Sequence, residues 1–268
     1  NNNFFLYFEY LCIMNFSNII LNWYAINGRE LPWRQTTDPY AIWLSEVIMQ
    51  QTKIAQGTAY WERFIKRWPN VQSLANATED EVLREWQGLG YYSRARNLHK
   101  AAQQIVDLGY FPQTYNELIQ LKGIGEYIAA AVYSIAFAGP VAVVDGNVYR
   151  VLARFFGIEI PIDSTQGKKI FKAIAQDNLA KNAPAAYNQG IMDFGAMQCT
   201  PTLPNCKVCP LIENCFAANN NKVSSLPIKT KKTKQRERHF SYIYIRCKGK
   251  TAIRRRGKGD IWQGLWEF

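Results

Sequence analysis

No apolar run in this 268-residue sequence approaches the roughly 20 residues that a membrane-spanning helix needs. Residues Asn1 to Ile13 are rich in aromatic side chains but carry no basic region and no small-residue cleavage site, so they do not read as a secretory signal. Met14-Asn15-Phe16-Ser17 looks like a natural start, and residues 1–13 read as upstream sequence joined to the gene. Acidic residues are scarce beside basic ones, 21 against 32, leaving a net charge of +11. Such an excess suits a polyanion such as nucleic acid. Much of it is local, however, in Lys222 to Arg238 and in Arg254-Arg-Arg256, and basic runs of that kind are often only solvated tethers. Histidine numbers two, and His99 has no ligand-type residues at helical spacing, so it reads as packing or solvated. Cysteine numbers six, with four in one short segment, which points to a metal in a reducing compartment rather than to disulfides.

What is present is ample apolar material, 48% of residues with 14% aromatic, enough for one large domain or two small ones. The organising stretch is Leu121-Lys-Gly-Ile-Gly-Glu-Tyr127. Tyr115 to Leu121 reads as a short helix, and Glu126 to Ala138, Ala-rich and apolar almost all round, as a buried one. Gly123 and Gly125 make the turn between them, where the backbone must take unusual dihedrals and come close to something. The N–H groups of residues 123–125 then stand at a helix start, where the dipole favours an anion such as phosphate. A plain turn between two helices is the alternative.

Asn18 to Asn27 reads as an amphipathic helix, followed by the loop Arg29-Glu-Leu-Pro-Trp-Arg34. That loop is either a surface loop with one buried Trp or a phosphate-backbone contact beside an aromatic anchor. Asp38-Pro39 starts a helix that runs to about Gln56. On it Glu46 shares a face with Ile42, Trp43, Met49 and Gln50. A carboxyl among apolar neighbours holds its proton above the usual range of about 4.3 and is suited to act as a general acid. The competing reading is a solvated Glu on a helix whose core face is Leu44 and Ile48. Gln50-Gln51-Thr52 carries paired amides suited to base edges as well as to solvent. Trp61 to Trp68 and Glu79 to Trp86 are further helices, the latter opened by a capping box between Thr78 and Glu81. Gly88-Leu-Gly-Tyr91-Tyr92 turns into a helix from Ser93 to Asp107. Its tyrosines would either wedge stacked bases or pack a helix corner. Asp145-Gly-Asn147 precedes the helix Val148 to Phe156; either residue can be its cap, and a helix N-terminus also keeps a catalytic carboxylate ionised. Ala185 to Met197 is another helix.

The cysteines follow as Cys199-x6-Cys206-x2-Cys209-x5-Cys215. Structural zinc usually takes two tight pairs, and only Cys206 and Cys209 form one here, so a wrapped iron–sulfur cluster fits as well as zinc. Residues 219–238 read as a basic linker. Phe240 to Ile245 alternates as a strand, Lys248-Gly-Lys250 turns, and Thr251 to Arg254 returns as a hairpin too small to bury its own face. The stretch reads as the start of a second domain that is cut off.

Together Leu31-Pro-Trp-Arg34, Ser45-Glu-Val-Ile-Met-Gln-Gln-Thr52, Gly88-Leu-Gly-Tyr-Tyr-Ser-Arg94, Val144-Asp-Gly-Asn-Val-Tyr-Arg150 and the four-cysteine spacing resemble the adenine DNA glycosylases of the helix–hairpin–helix superfamily, over about Met14 to Phe216. The resemblance implies a mostly all-α fold: a six-helix module, about 36–142, packed on an iron–sulfur cluster module made from 14–35 and 143–216. Residues 239–268 match only the opening strands of the family's Nudix-like α+β domain. It implies a 4Fe-4S cluster on Cys199, Cys206, Cys209 and Cys215. It implies Glu46 as the acid that protonates adenine at N7, Asp145 as the carboxylate facing the oxocarbenium-like sugar, and Asn147 and Tyr127 beside them. Gln51 and Tyr91 would fill and wedge the gap left by the extruded base, while Arg29, Arg34 and the Gly123 and Gly125 amides hold phosphates. The implied substrate is double-stranded DNA with adenine opposite 8-oxoguanine or guanine, and the product an abasic site. The implied setting is a monomer at the bacterial nucleoid in the cytoplasm. Endonuclease III-like relatives carry a nucleophilic Lys where this chain has Tyr127, so a monofunctional enzyme is expected. The rival readings are a glycosylase for another base, such as thymine opposite guanine, and a non-catalytic DNA-binding module.

Overall fold

The computed structural model describes residues 16–230 and 237–268. The reading of residues 1–13, and the 231–236 part of the expected linker, lie outside the described residues. The chain is a succession of helices: α1 (16–27), α2 (Pro39–Ile48), α3 (Ile54–Arg67), α4 (Val71–Ala75), α5 (Glu79–Glu85), α6 (Ser93–Leu108), α7 (Tyr115–Leu118), α8 (Glu126–Phe137), α9 (Gly146–Phe156), α10 (Thr165–Asp177), α11 (Pro184–Met197) and α12 (Phe216–Asn219). None of the described helices is long and apolar enough to cross a membrane.

Local sequence sets the helix starts. Asp38 accepts the Tyr40 N–H at 3.0 Å, with Pro39 in the first turn. Asn70, Thr78 and Thr114 each form a reciprocal capping box, with Ser73, Glu81 and Glu117 respectively. Ser164 caps α10 and Asp145 caps α9.

Two apolar cores form. One gathers Trp43, Phe64, Trp86, Leu98 and Ile128 from α2 to α8. The other gathers Phe16, Leu152, Phe155, Phe171, Tyr187 and Phe194 from α1 and α9 to α11. Helix α8 is the wall between them: Ala129 and Val132 close the first core, Ala130 and Ala131 the second. Its small side chains let helices pack on both sides. A larger residue at Ala131, which is 0% exposed, would overpack by about 1–3 kcal/mol.

The structure departs from expectation at four places. Helix α2 ends at Ile48 rather than near Gln56, because the chain reverses at Gln51, which has φ +56°, and α3 starts afresh at Ile54. Helix α10 was not legible, since Thr165–Asp177 buries few residues, among them Gly167, Phe171 and Ala175. Residues 219–230 are no tether: the Ile162 N–H bonds the Ile228 carbonyl at 3.0 Å, Arg154 Nε reaches the Leu226 carbonyl at 3.1 Å, and Leu226 is buried. Finally, Phe240 to Ile245 joins no strand. The ladders are β1 (Arg246–Cys247) against β2 (Lys250–Thr251), and β3 (Arg254–Arg255) against β4 (Trp266–Glu267), both antiparallel. The turn at Lys248-Gly249, with both φ positive, falls where expected. The tail docks on α5 and α6 through Arg255 with Asp80 (2.7 Å) and Arg96 with the Gln263 carbonyl (2.6 Å).

Candidate active site

Tyr127 stands in the first turn of α8 and packs against both cores. Its hydroxyl donates to Glu46 Oε2 at 2.8 Å. Glu46 comes from the middle of α2; it is half-buried, and every other residue from Tyr40 to Ile48 is buried. Burial pushes the Glu46 acid up to about 7; the neighbouring Asp145 charge adds to this, while the Tyr127 hydrogen bond and the Arg34 charge work against it. Burial, then the Glu46 and Asp145 charges, hold the Tyr127 hydroxyl firmly protonated.

Asp145 lies before α9 and is ordered by that helix. Its Oδ1 accepts the backbone N–H of Asn147 and of Val148, each at 2.8 Å, and its Oδ2 accepts the Asn147 side-chain amide at 2.8 Å. Burial raises its pKa, and these hydrogen bonds and the Arg150 charge oppose the rise. Asn147 is oriented in turn by Arg150, whose Nη2 donates to Asn147 Oδ1 at 2.8 Å and to the Gly195 carbonyl at 2.6 Å. Arg150 Nε continues to the Cys199 carbonyl at 2.7 Å. The structure thus brings Glu46, Tyr127, Asp145 and Asn147 into one electrostatic neighbourhood at the seam of the two cores. A cavity of about 90 Å³ beside Tyr127 is lined by Val144, Tyr149 and Lys168 as well.

Arg29 and Arg34 are placed differently from free phosphate contacts. Both converge on Asp193 of α11, which is 0% exposed: Arg34 Nη1 lies 2.7 Å from Oδ2, and Arg29 Nε donates to Oδ1 at 2.9 Å. The hydrogen bonds from Arg34 and Arg29 outweigh burial and hold the Asp193 acid down at about 2. Asp193 was missed in the sequence, although Ile191-Met-Asp-Phe194 carries the same signal as Glu46, an isolated acid in an apolar helix. Arg150 was also missed, for its role appears only once Gly195 and Cys199 are seen beside it.

Gln51 and Tyr91 sit at exposed loop tips with φ of +56° and +44°, conformations that non-glycine residues adopt at a cost. Arg94 joins the two loops, donating to the Gln50 and Leu89 carbonyls. In the hairpin, Gly123 has φ +77° and a Cβ there would lie 2.6 Å from Asn97 Cβ, so no other residue fits. Gly125 is extended and has open space where its Cβ would stand, so of the two glycines only Gly123 is demanded by the protein itself.

Cys199, Cys206, Cys209 and Cys215 line one small cavity with Arg154. Arg154 Nη1 donates to Cys199 Sγ at 3.4 Å, and burial raises the Cys209 thiol to about 11. Among the described residues no three His, Cys, Asp or Glu side chains close on a single-ion site. Four cysteines lining one cavity are a donor set that fits a metal centre or an iron–sulfur cluster. A larger cavity of about 660 Å³ lies elsewhere, between the tail and Tyr92.

The two-core helical fold and its glycine hairpin belong to a known class: residues 44–176 match the HhH-GPD superfamily base excision DNA repair protein family. Among solved structures a thermostable thymine-DNA glycosylase superposes with a TM-score of 0.72 at 26% identity, covering 77% of this chain and 96% of that one. The adenine DNA glycosylase of Buchnera aphidicola subsp. Schizaphis graminum is 37% identical over 262 residues, covering 96% of this chain and 75% of the relative. That of Homo sapiens is 40% identical over 213 residues, covering 75% of this chain and 39% of the relative. The chain belongs to the adenine DNA glycosylase family.

Proposed function

We propose that this enzyme hydrolyses the N-glycosidic bond of adenine opposite 8-oxoguanine or guanine in double-stranded DNA and leaves an abasic site. The observation that carries the reading is geometric: Glu46, a carboxyl in the middle of buried α2, accepts the Tyr127 hydroxyl at 2.8 Å, and burial and the nearby helix-capping carboxylate Asp145 push its acid up to about 7. Two carboxyl groups with divergent environments are the equipment of glycoside hydrolysis. Protonated Glu46 gives its proton to adenine N7 of an extruded nucleotide, which turns a poor leaving group into a neutral one. Ionised Asp145 faces the cationic sugar that results. Glu46, now a carboxylate, takes a proton from the water that attacks C1′. Tyr127 holds Glu46 in place throughout, and Asn147 holds Asp145. Gln51 and Tyr91 are assigned to the gap in the duplex, and the open face of Gly125 to a backbone phosphate.

Cys199, Cys206, Cys209 and Cys215 would hold a 4Fe-4S cluster, which would supply a cross-link that closes the 199–215 segment on itself. The thiolates it needs imply a reducing compartment, in keeping with a DNA-repair enzyme of the bacterial cytoplasm, acting as a monomer. The position of Tyr127 supports a monofunctional route, since its hydroxyl is no amine.

The deciding experiment is single-turnover base release from duplexes carrying adenine or thymine opposite 8-oxoguanine or guanine, by the wild type and Glu46→Gln. Adenine release should fall by about 10²–10⁴ in the variant. A fall of only a few-fold would favour a binding module, and preferred thymine release would favour the other base.

A further inference from the structure

Between α2, α6 and the glycine hairpin lies a cavity of about 100 Å³ lined by Trp43, Gln50, Arg94, Asn97, Lys122 and Gly123 among others. Trp43 is 1% exposed, and its indole N–H has no acceptor among the described residues. The Nε–H of Arg94 is likewise buried and without an acceptor. Two such groups lining one cavity are unusual, because buried polar groups are nearly always paired. Both are donors that cannot accept. The rest of the Arg94 guanidinium is committed to backbone carbonyls of Val47, Ile48, Gln50 and Leu89, and among the described residues no carboxylate pairs with it. No acid lines the cavity, whereas Lys122 adds a second positive charge at its rim.

We propose that this cavity binds a small inorganic anion of chloride size, held by the Trp43 and Arg94 N–H groups. A water molecule there would take two hydrogen bonds but bring no negative charge beside Arg94 and Lys122; an anion does both. The site joins the Gln50-Gln51 turn, the start of α6 and the hairpin, so its occupant ties together three elements that carry residues assigned to DNA. The inference does not depend on the glycosylase reading, since it concerns the folded protein without DNA.

Crystals of the full chain soaked in sodium bromide test it directly. An anomalous peak at hydrogen-bonding distance from Trp43 Nε1 and Arg94 Nε is expected. Bromide bound elsewhere with water alone at this place would overturn it. In solution, thermal unfolding at fixed ionic strength should show a Tm higher in chloride than in glutamate, by roughly 2–4 °C at tenfold the dissociation constant. Trp43→Phe, which keeps a ring between Tyr40 and Phe111 and removes the donor, should abolish most of that difference. An equal Tm in both salts for the wild type, or an undiminished difference in the variant, would count against the site.

Discussion

The Tyr127 hydroxyl and the Glu46 carboxylate, 81 residues apart in sequence, meet at 2.8 Å across the wall between the two cores. The bond favours the ionised form of Glu46 and so restrains a pKa that burial raises to about 7. Because the acid form of Glu46 is the one assigned to protonate adenine, base release should decline as pH rises through about 7. Tyr127→Phe removes the restraint, so its alkaline limb should move to higher pH even as the maximal rate falls. Single-turnover rates from pH 5 to 9 check both; an alkaline limb that stays put in the variant would break the link between the two residues.

The same shift has a consequence for stability that needs no substrate. Glu46 ionises near 4.5 when unfolded and about 7 when folded. The folded state therefore binds the extra proton in that interval, and its stability falls as pH rises from about 4.5 to 7 and is level above. Glu46→Gln lacks the titration and should be the more stable protein at pH 8, by on the order of 1–3 kcal/mol, with the gap closing by pH 4.5. Urea unfolding at the two pH values measures the gap. Equal stabilities at pH 8 would show that the carboxyl is better solvated than its surroundings imply.

A lyase route requires an amine where Tyr127 stands. Borohydride should trap little covalent complex between the wild type and adenine-containing duplex, while Tyr127→Lys should yield a trapped species on gels. Strong trapping by the wild type would overturn the monofunctional reading. Lys168, which shares the cavity beside Tyr127, would then be the first residue to change.

Much of the fold was readable because its punctuation is local. Asp38-Pro39, the Thr78 to Glu81 box and Gly123 each act within a turn of themselves, and the helices they open were found. What was not readable depends on distant neighbours. Helix α2 is apolar and buried almost all round, so its periodicity does not show which face meets the cleft, and Glu46 stood out by charge rather than by position. Its end, at the Gln51 reversal, is tied down by Arg94, whose Nη1 donates to the carbonyls of Val47, Ile48 and Gln50 from 44 or more residues away. Residues 219–230 look like a tether by composition, yet the Arg154 side chain of α9 and the Ile162 N–H before α10 hold them by their backbone carbonyls, which leaves no trace in their side-chain patterning. The resemblance implies phosphate contacts for Arg29 and Arg34, and nothing local shows otherwise; their partner Asp193 lies 159 residues beyond Arg34.

Asp193 is accordingly the residue whose loss should cost most among the charged side chains of this site. It is fully buried and carries two guanidiniums, and removing one member of a buried ion pair leaves uncompensated charge worth about 3–5 kcal/mol. Asp193→Ala should lower stability by that order in chemical unfolding. In the wild type, the acid is held at about 2, so its stabilising contribution is complete above the unfolded value of 3.8 and is lost as pH falls from there towards 2. A variant within 1 kcal/mol of the wild type at pH 7 would mean that Arg29 and Arg34 find solvent readily, and would restore them as candidates for DNA phosphate.

Arg150 should separate positioning from binding. It touches neither the assigned acid nor the cleft; it holds Asn147, which holds Asp145, and it reaches the Cys199 carbonyl on the other side. Arg150→Ala frees Asn147 Oδ1 and so loosens Asp145, whose Oδ1 still keeps two backbone N–H bonds. The expected result is a base-release rate lowered about tenfold with duplex affinity changed little, and iron and sulfide content lower than wild type, because the loop carrying Cys199 loses an anchor. Restoring Nη2 chemistry with Arg150→Lys should recover little, since one ammonium cannot span the Asn147, Gly195 and Cys199 oxygens at once. A wild-type rate with depleted iron would show that the Asp145 carboxylate is ordered by its helix alone.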